Sequence, residues 1–190
     1  NGEVVKIKLP KASVFTEKYN KNHIIKKFTF PGIKEGSIIE YSYEITSDFF
    51  FNLQEWVFQG QYPVLWSQYE ASIPEFYKYI ILSQGYHPFY INKTDKVQGS
   101  FTFNEQVDRE IRVNSNVPRQ SGISTFKIDG LIENHLWVMK DVPALKEEPF
   151  TTTLNNAISK VEFQLNQVMF PNTAPKYYMD NWEKIASDLM

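Results

Sequence analysis

The chain has 190 residues, of which 42% are hydrophobic and 22% charged, and 20 Lys plus Arg stand against 22 Asp plus Glu for a net charge of −2. This is the composition of a globular protein and not of a disordered one, and the near balance of charge argues against nucleic-acid binding. Cysteine is absent, which rules out a disulfide framework, a thiolate zinc site and a cysteine nucleophile within these residues.

The sequence opens at Asn1 with neither an initiator Met nor a charged-then-apolar leader, as expected of a processed or excised piece. Val5, Ile7 and Leu9 alternate with Lys6 and Lys8, which predicts a half-buried strand ended by Pro10. A turn is expected over Pro31 to Gly36. Beyond it, Ile39, Tyr41, Tyr43 and Ile45 share one face of a predicted strand Ser37 to Thr46, with Glu40, Ser42 and Glu44 on the other. Trp56 and Phe58 continue the pattern. Leu65, Ser67, Tyr69, Ala71 and Ile73 then alternate with Val64, Trp66, Gln68 and Glu70 up to Pro74. The continuous apolar run Phe76 to Leu82 suits a strand covered on both faces.

In the second half, Phe101 and Phe103 alternate with Thr102 and Asn104, and Val107, Ile111 and Val113 with Asp108, Glu110 and Arg112. Asp129-Gly130 is a two-residue hairpin signal, because both residues tolerate positive φ. Leu136 to Val142 and Val161 to Leu165 are further predicted strands. At the end, Asp180 and Glu183 have capping-box spacing, and Trp182, Ile185, Ala186 and Leu189 recur at i, i+3, i+4 and i+7. Residues 180–190 are therefore expected to start a short helix that leads toward a missing C-terminal domain or docks on its own domain. Strands separated by turn signals, without intervening helices, predict an all-β fold, a sandwich or an extended two-sheet structure, as one domain over 1–179. No segment predicts a membrane span, which needs roughly 18 or more consecutive apolar residues.

Chemical motifs are sparse. His23, His87 and His135 form neither an HxH nor an HExxH spacing, so no metal site or cofactor is expected. No G-x-S-x-G elbow exists, since Gly99-Ser100-Phe101 and Gly36-Ser37-Ile38 lack the second glycine. Glu147-Glu148 and Asp108/Glu110 are carboxylate pairs of the kind glycoside hydrolysis uses, yet Arg112 continues the latter face as on a solvated strand. Asn92-Lys93-Thr94 fits a glycosylation sequon, relevant only in a eukaryotic secretory setting. The distinctive material is aromatic: 15 Phe, 11 Tyr and 4 Trp. Phe49, Phe50 and Phe51 cannot all face one side of a strand, so at least one points outward or packs beneath a loop. Gln84 to Tyr90 is a turn dense in rings. Phe49, Phe50, Phe51, Tyr86 and Tyr90 are thus the candidate platforms for a glycan or a peptide.

The string Phe28-Thr29-Phe30-Pro31-Gly32-Ile33-Lys34-Glu35-Gly36-Ser37-Ile38-Ile39-Glu40-Tyr41-Ser42-Tyr43 resembles the signature of a bacterial family, a domain of unknown function located N-terminal to transglutaminase-like domains. Trp56-Val57-Phe58-Gln59, Pro63 to Tyr69, Ile73-Pro74-Glu75, Asp141 to Leu145, Glu148-Pro149 and the Trp182 segment are similar to its later features. The resemblance implies a large two-sheet β-sandwich, saddle-like as in the N-terminal domains of some zinc aminopeptidases. It also implies an exported protein, periplasmic or at the cell surface. The partner it implies is a transglutaminase-like domain later in the same chain, which this chain would serve as a non-catalytic accessory domain that positions that domain or its substrate. The alternative is a free-standing glycan- or peptide-binding module. In the signature itself Pro31 fixes one backbone angle and Gly36 permits a positive one, while Ile39, Tyr41 and Tyr43 are expected to build a core face.

Overall fold

The structure is a computed structural model that describes residues 5–21, 24–47, 49–108, 121–146 and 153–179. The expectations placed on Asn1, His23, Glu110 to Val113, Glu147 to Pro149, and the helix of 180–190 with Trp182 lie outside the described residues. The chain is all-β in character, with three sheets, and divides into two compact units, 1–46 and 47–190. Its regular elements are nine strands and two short 3₁₀ turns among the described residues.

In the first unit, β1 (Val14–Lys18) and β2 (Ile24–Phe28) pair antiparallel, with Val14 opposite Phe28 and Lys18 opposite Ile24. Both strands are exposed along their whole length. The predicted turn follows, with Gly32 and Gly36 at φ of 72° and 83°, the left-handed region that glycine enters without a Cβ penalty. The hydroxyl of Ser37 accepts the Lys34 N–H at 3.0 Å and closes it. Two strand expectations differ from the structure here. Residues 5–9 and 37–46 belong to no sheet, and Ile39, Tyr41 and Tyr43 are 49%, 63% and 60% exposed and build no core face. Period-2 alternation marks which side chains share a face, but a strand also needs a neighbour for its backbone groups, and alternation does not supply one. The shared face persists: the Tyr41 and Tyr43 rings stack at 6.5 Å and 3°.

The second unit holds the two larger sheets. One has the order β4-β7-β6, from β4 (Val64–Pro74), β7 (Ser121–Val142) and β6 (Ile91–Asp108). In the other, β8 (Lys160–Val168) is central. It pairs with β5 (Tyr77–Gln84) on one side, and with β3 (Trp56–Val57) and β9 (Lys176–Tyr177) on the other. All pairings are antiparallel. The chain crosses between the sheets at Glu75-Phe76. Glu75 donates its N–H to the Leu131 carbonyl and accepts the Leu131 N–H on its carboxylate, each at 2.8 Å. The Phe76 carbonyl takes the Met169 N–H, also at 2.8 Å.

One core cluster draws on both sheets: Ala71 and Ile73 from β4, Trp137, Met139 and Val142 from β7, Val161 from β8, and Phe58 just after β3. The alternation predicted for β4 holds from Ser67 to Ile73 but not at Leu65, which is exposed. Across from it in β7, Asp141 has a φ of 53°, and Met139 and Val142 on either side of it are both buried although three residues apart. Leu65 lies opposite that irregularity, between the paired positions Val64–Val142 and Trp66–Lys140.

Two further expectations are corrected. Asp129-Gly130 is no hairpin turn but lies inside β7, with Gly130 opposite Gly99 and Asp129 opposite Ser100. Gly130 does not need positive φ; it needs the absence of a side chain, since a Cβ there would stand 2.8 Å from both the Phe76 ring and a Glu75 carboxylate oxygen. The apolar run ending at Leu82 is not covered on both faces. Ile80, Ile81 and Leu82 are 40%, 36% and 41% exposed, so neither face of β5 is fully covered there; β5 is also an edge strand, with β8 as its one partner among the described residues.

Candidate ligand-binding site

Four loop segments of the second unit converge at one end of β5 and β8 around a recess of about 270 Å³, lined by Gln59, Tyr86, His87, Pro143, Leu145, Ala157 and Ser159. Hydrogen bonds between the loops hold it open. The Gln59 side-chain amide donates to the Pro143 carbonyl at 3.0 Å, and the Leu145 N–H donates to the Gly60 carbonyl at 2.8 Å. The Phe58 N–H donates to the Ser159 carbonyl at 2.8 Å, which fixes the segment before β8. His87 Nε2 lies 3.0 Å from the Lys140 carbonyl oxygen. A carbonyl only accepts, so Nε2 carries the proton and Nδ1 of the neutral ring is left as an acceptor.

The turn after β5 owes its shape to Gly85. Its φ is 104°, and a Cβ there would lie 2.4 Å from Ser159 Oγ and 2.6 Å from Ser159 Cα. The turn therefore presses directly onto Ser159, which is 1% exposed and whose hydroxyl has no hydrogen-bond partner among the described residues. Buried hydroxyls are rarely left this way, because each forgoes its bonds to water. Phe89 anchors the far side of the turn, with its ring edge-on to buried Phe58 at 5.5 Å.

The ring-rich residues singled out by sequence fall into separate places. Tyr86 is 92% exposed and lines the recess. Tyr90 is 62% exposed and stands edge-on to Trp66 at 5.8 Å, with Lys140 Nζ 5.7 Å from its ring centre. Phe49, Phe50 and Phe51 lie at the other end of β5. Phe50 is half-buried and stacks on Tyr77 at 4.9 Å, and its carbonyl accepts the Tyr79 hydroxyl proton. Phe51 is exposed and meets Tyr178 edge-on at 5.1 Å, and Phe49 is 79% exposed. The eight residues of β5 separate the two groups by roughly 25 Å, so they form two surfaces and not one. Gln59, Pro143 and Leu145 fall in strings that the resemblance singled out and Ser159 in none, and no sequence signal marks the four as neighbours.

A second concavity of about 730 Å³ is an apolar groove whose rings are Phe103, Phe126 and Phe170. Phe103 and Phe126, a cross-strand pair, stack at 5.5 Å, and buried Phe76 supports Phe170 at 5.4 Å.

The titratable groups are arranged as structural pairs. His135 stacks on Trp137 at 5.1 Å, its Nδ1 is 2.9 Å from the Thr94 hydroxyl, and its Nε2 is 3.8 Å from Glu133. Burial pushes the His135 pKa down, opposed by the Glu133 carboxylate and assisted by Lys96. The hydrogen bond from Lys96, at 2.9 Å, holds Glu133 below the usual carboxylate range. Burial, with Tyr77 nearby, pushes Tyr79 up to about 12. Among the described residues no three His, Asp or Glu side chains converge as metal ligands, and no helix is long and apolar enough to cross a membrane. No protein-family model, curated protein or solved structure matches the chain.

Proposed function

We propose that this chain is a non-catalytic accessory β-module of an exported bacterial transglutaminase-like protein, periplasmic or at the cell surface, which positions the catalytic domain or its substrate. The observation that carries the reading is the segment 28–43, whose string resembles the accessory family and whose Gly36 has a physical basis here. Gly32 and Gly36 sit where φ is positive, so the glycines of that string are required by its turn. Support also comes from partly open apolar surface: the Phe103–Phe126–Phe170 groove and the exposed Ile80 and Leu82 of β5. In the same reading the two larger sheets pack as a saddle-like sandwich, which is supported by the core cluster they share.

The test is transamidation of a glutamine-containing peptide by the full-length protein, with residues 1–179 present and removed. A rise in KM of several-fold at unchanged kcat is expected on removal, since positioning contributes binding and not chemistry. Hydrolase or transferase activity in the 190-residue chain alone overturns the reading. A second reading, a free-standing glycan- or peptide-binding module, is favoured by the recess at Tyr86, a concave and mostly apolar site with a few convergent polar groups.

A further inference from the structure

We infer that the recess bounded by Gln59, Tyr86, His87, Pro143 and Ser159 binds a single neutral pyranose unit of a saccharide. The inference rests on the second reading above and not on the transglutaminase link. Size is the first constraint. At about 270 Å³ the recess lies just below the usual range for drug-sized ligands, roughly 300–1,000 Å³, and so fits one ring and not an extended chain. Charge is the second. No Lys, Arg, Asp or Glu lines the recess, which disfavours a carboxylate, a phosphate or an ammonium group, because a charge leaving water there would find no counter-ion.

The polar groups present select among neutral ligands. Gln59 has spent an amide proton on the Pro143 carbonyl, and its oxygen remains an acceptor. His87 has spent its N–H on the Lys140 carbonyl, which leaves Nδ1 as an acceptor. Ser159 brings a hydroxyl with no partner among the described residues, able both to donate and to accept. A ligand that satisfies this set must carry several O–H donors that also accept, which describes a polyol. Tyr86, Pro143 and Leu145 supply the remaining wall. One face of a pyranose is a patch of C–H bonds that packs on such a wall and on the negative face of a tyrosine ring. Ser159 lies beneath Gly85, so a ligand reaches its hydroxyl only where the Gly85 turn moves aside.

The experiment is an amide-shift titration of the 190-residue chain with methyl β-glucopyranoside, methyl β-galactopyranoside and N-acetylglucosamine, with cyclohexanol and acetate as controls. At least one sugar is expected to bind with Kd on the order of 1 mM, with shifts at Gln59, Gly85, Tyr86, His87 and Ser159, and the controls are expected to be silent. Ser159→Ala and Tyr86→Ala should each weaken that binding about five- to tenfold. Neither should lower Tm, since the Ser159 hydroxyl lacks a partner and Tyr86 is 92% exposed, and this separates a ligand contact from a structural one. Binding unaffected by both variants overturns the inference, as does silence toward all three sugars, or cyclohexanol or acetate binding as tightly as a sugar. Silence toward the sugars beside a KM effect of removing residues 1–179 would leave the accessory reading standing, and sugar binding without that KM effect would remove the accessory reading alone.

Discussion

Gly130→Ala sets two effects of similar size against each other. Replacing glycine by alanine in a strand restrains the unfolded chain and gains roughly 0.4–1 kcal/mol where the new methyl fits. At Gly130 it does not fit: the Cβ would meet the Phe76 ring at 2.8 and 3.1 Å and a Glu75 carboxylate oxygen at 2.8 Å. Neither neighbour can give way easily. Phe76 is 2% exposed and wedged against Phe101 at 5.1 Å and Phe170 at 5.4 Å, and Glu75 is held by the Leu131 N–H. Overpacking of this kind costs about 1–3 kcal/mol, so a net loss of about 1–2 kcal/mol is expected. For a chain of this size that lowers Tm by roughly 2–8 °C, measurable by thermal or urea denaturation. Phe76→Leu in the same chain should relieve part of the loss, with a coupling of about 1 kcal/mol in a double-mutant cycle. A Gly130→Ala protein as stable as the parent, or strictly additive with Phe76→Leu, would refute the reasoning that this glycine makes room for the phenylalanine.

Three further outcomes are expected. Asp141 occupies the left-handed region at φ 53°, so Asp141→Val should lose about 1–2 kcal/mol in urea denaturation, whereas Asp141→Gly should stay within about 0.5 kcal/mol of the parent; equal effects would mean that the backbone angle is not what matters. Glu133 and His135 both have pKa values below their ordinary 4.5 and 6.5. In each case the unfolded chain binds the proton more readily, so their stabilisation is complete above the ordinary value and is lost as pH falls through the folded one. Stability should therefore decline below about pH 6.5 and more steeply below about pH 4.5, and Glu133→Gln should flatten the lower limb; an unchanged limb would exclude the Lys96–Glu133 pair as its source. Finally, Ile80→Lys adds a charge to the open face of an edge strand. It should reduce concentration-dependent association in light scattering with less than about 0.5 kcal/mol change in stability, and a drop of several kcal/mol would show that Ile80 is covered.

The candidate site was legible only in part. The turn Gln84 to Tyr90 announces itself through Gly85, Pro88 and its rings, and Tyr86 lines the recess. Its other walls come from Gln59, Pro143, Leu145 and Ser159, which stand on segments far apart in the chain and carry no spacing that relates them. Only the loop-to-loop hydrogen bonds bring them together.

For the fold, local chemistry was enough to specify strand character, the alternation of Ser67 to Ile73 in β4 and the turn at Gly32 and Gly36. Those features depend on backbone sterics and on which side chains share a face, properties of a few consecutive residues. Tertiary structure decided the rest. It placed Gly130 inside a strand because Phe76, from another part of the chain, fills the space its side chain would take. It left Ile39, Tyr41 and Tyr43 in water although they alternate as cleanly as β4 does. Burial and pairing depend on which distant segment lies alongside, and a period-2 pattern says nothing of its neighbour.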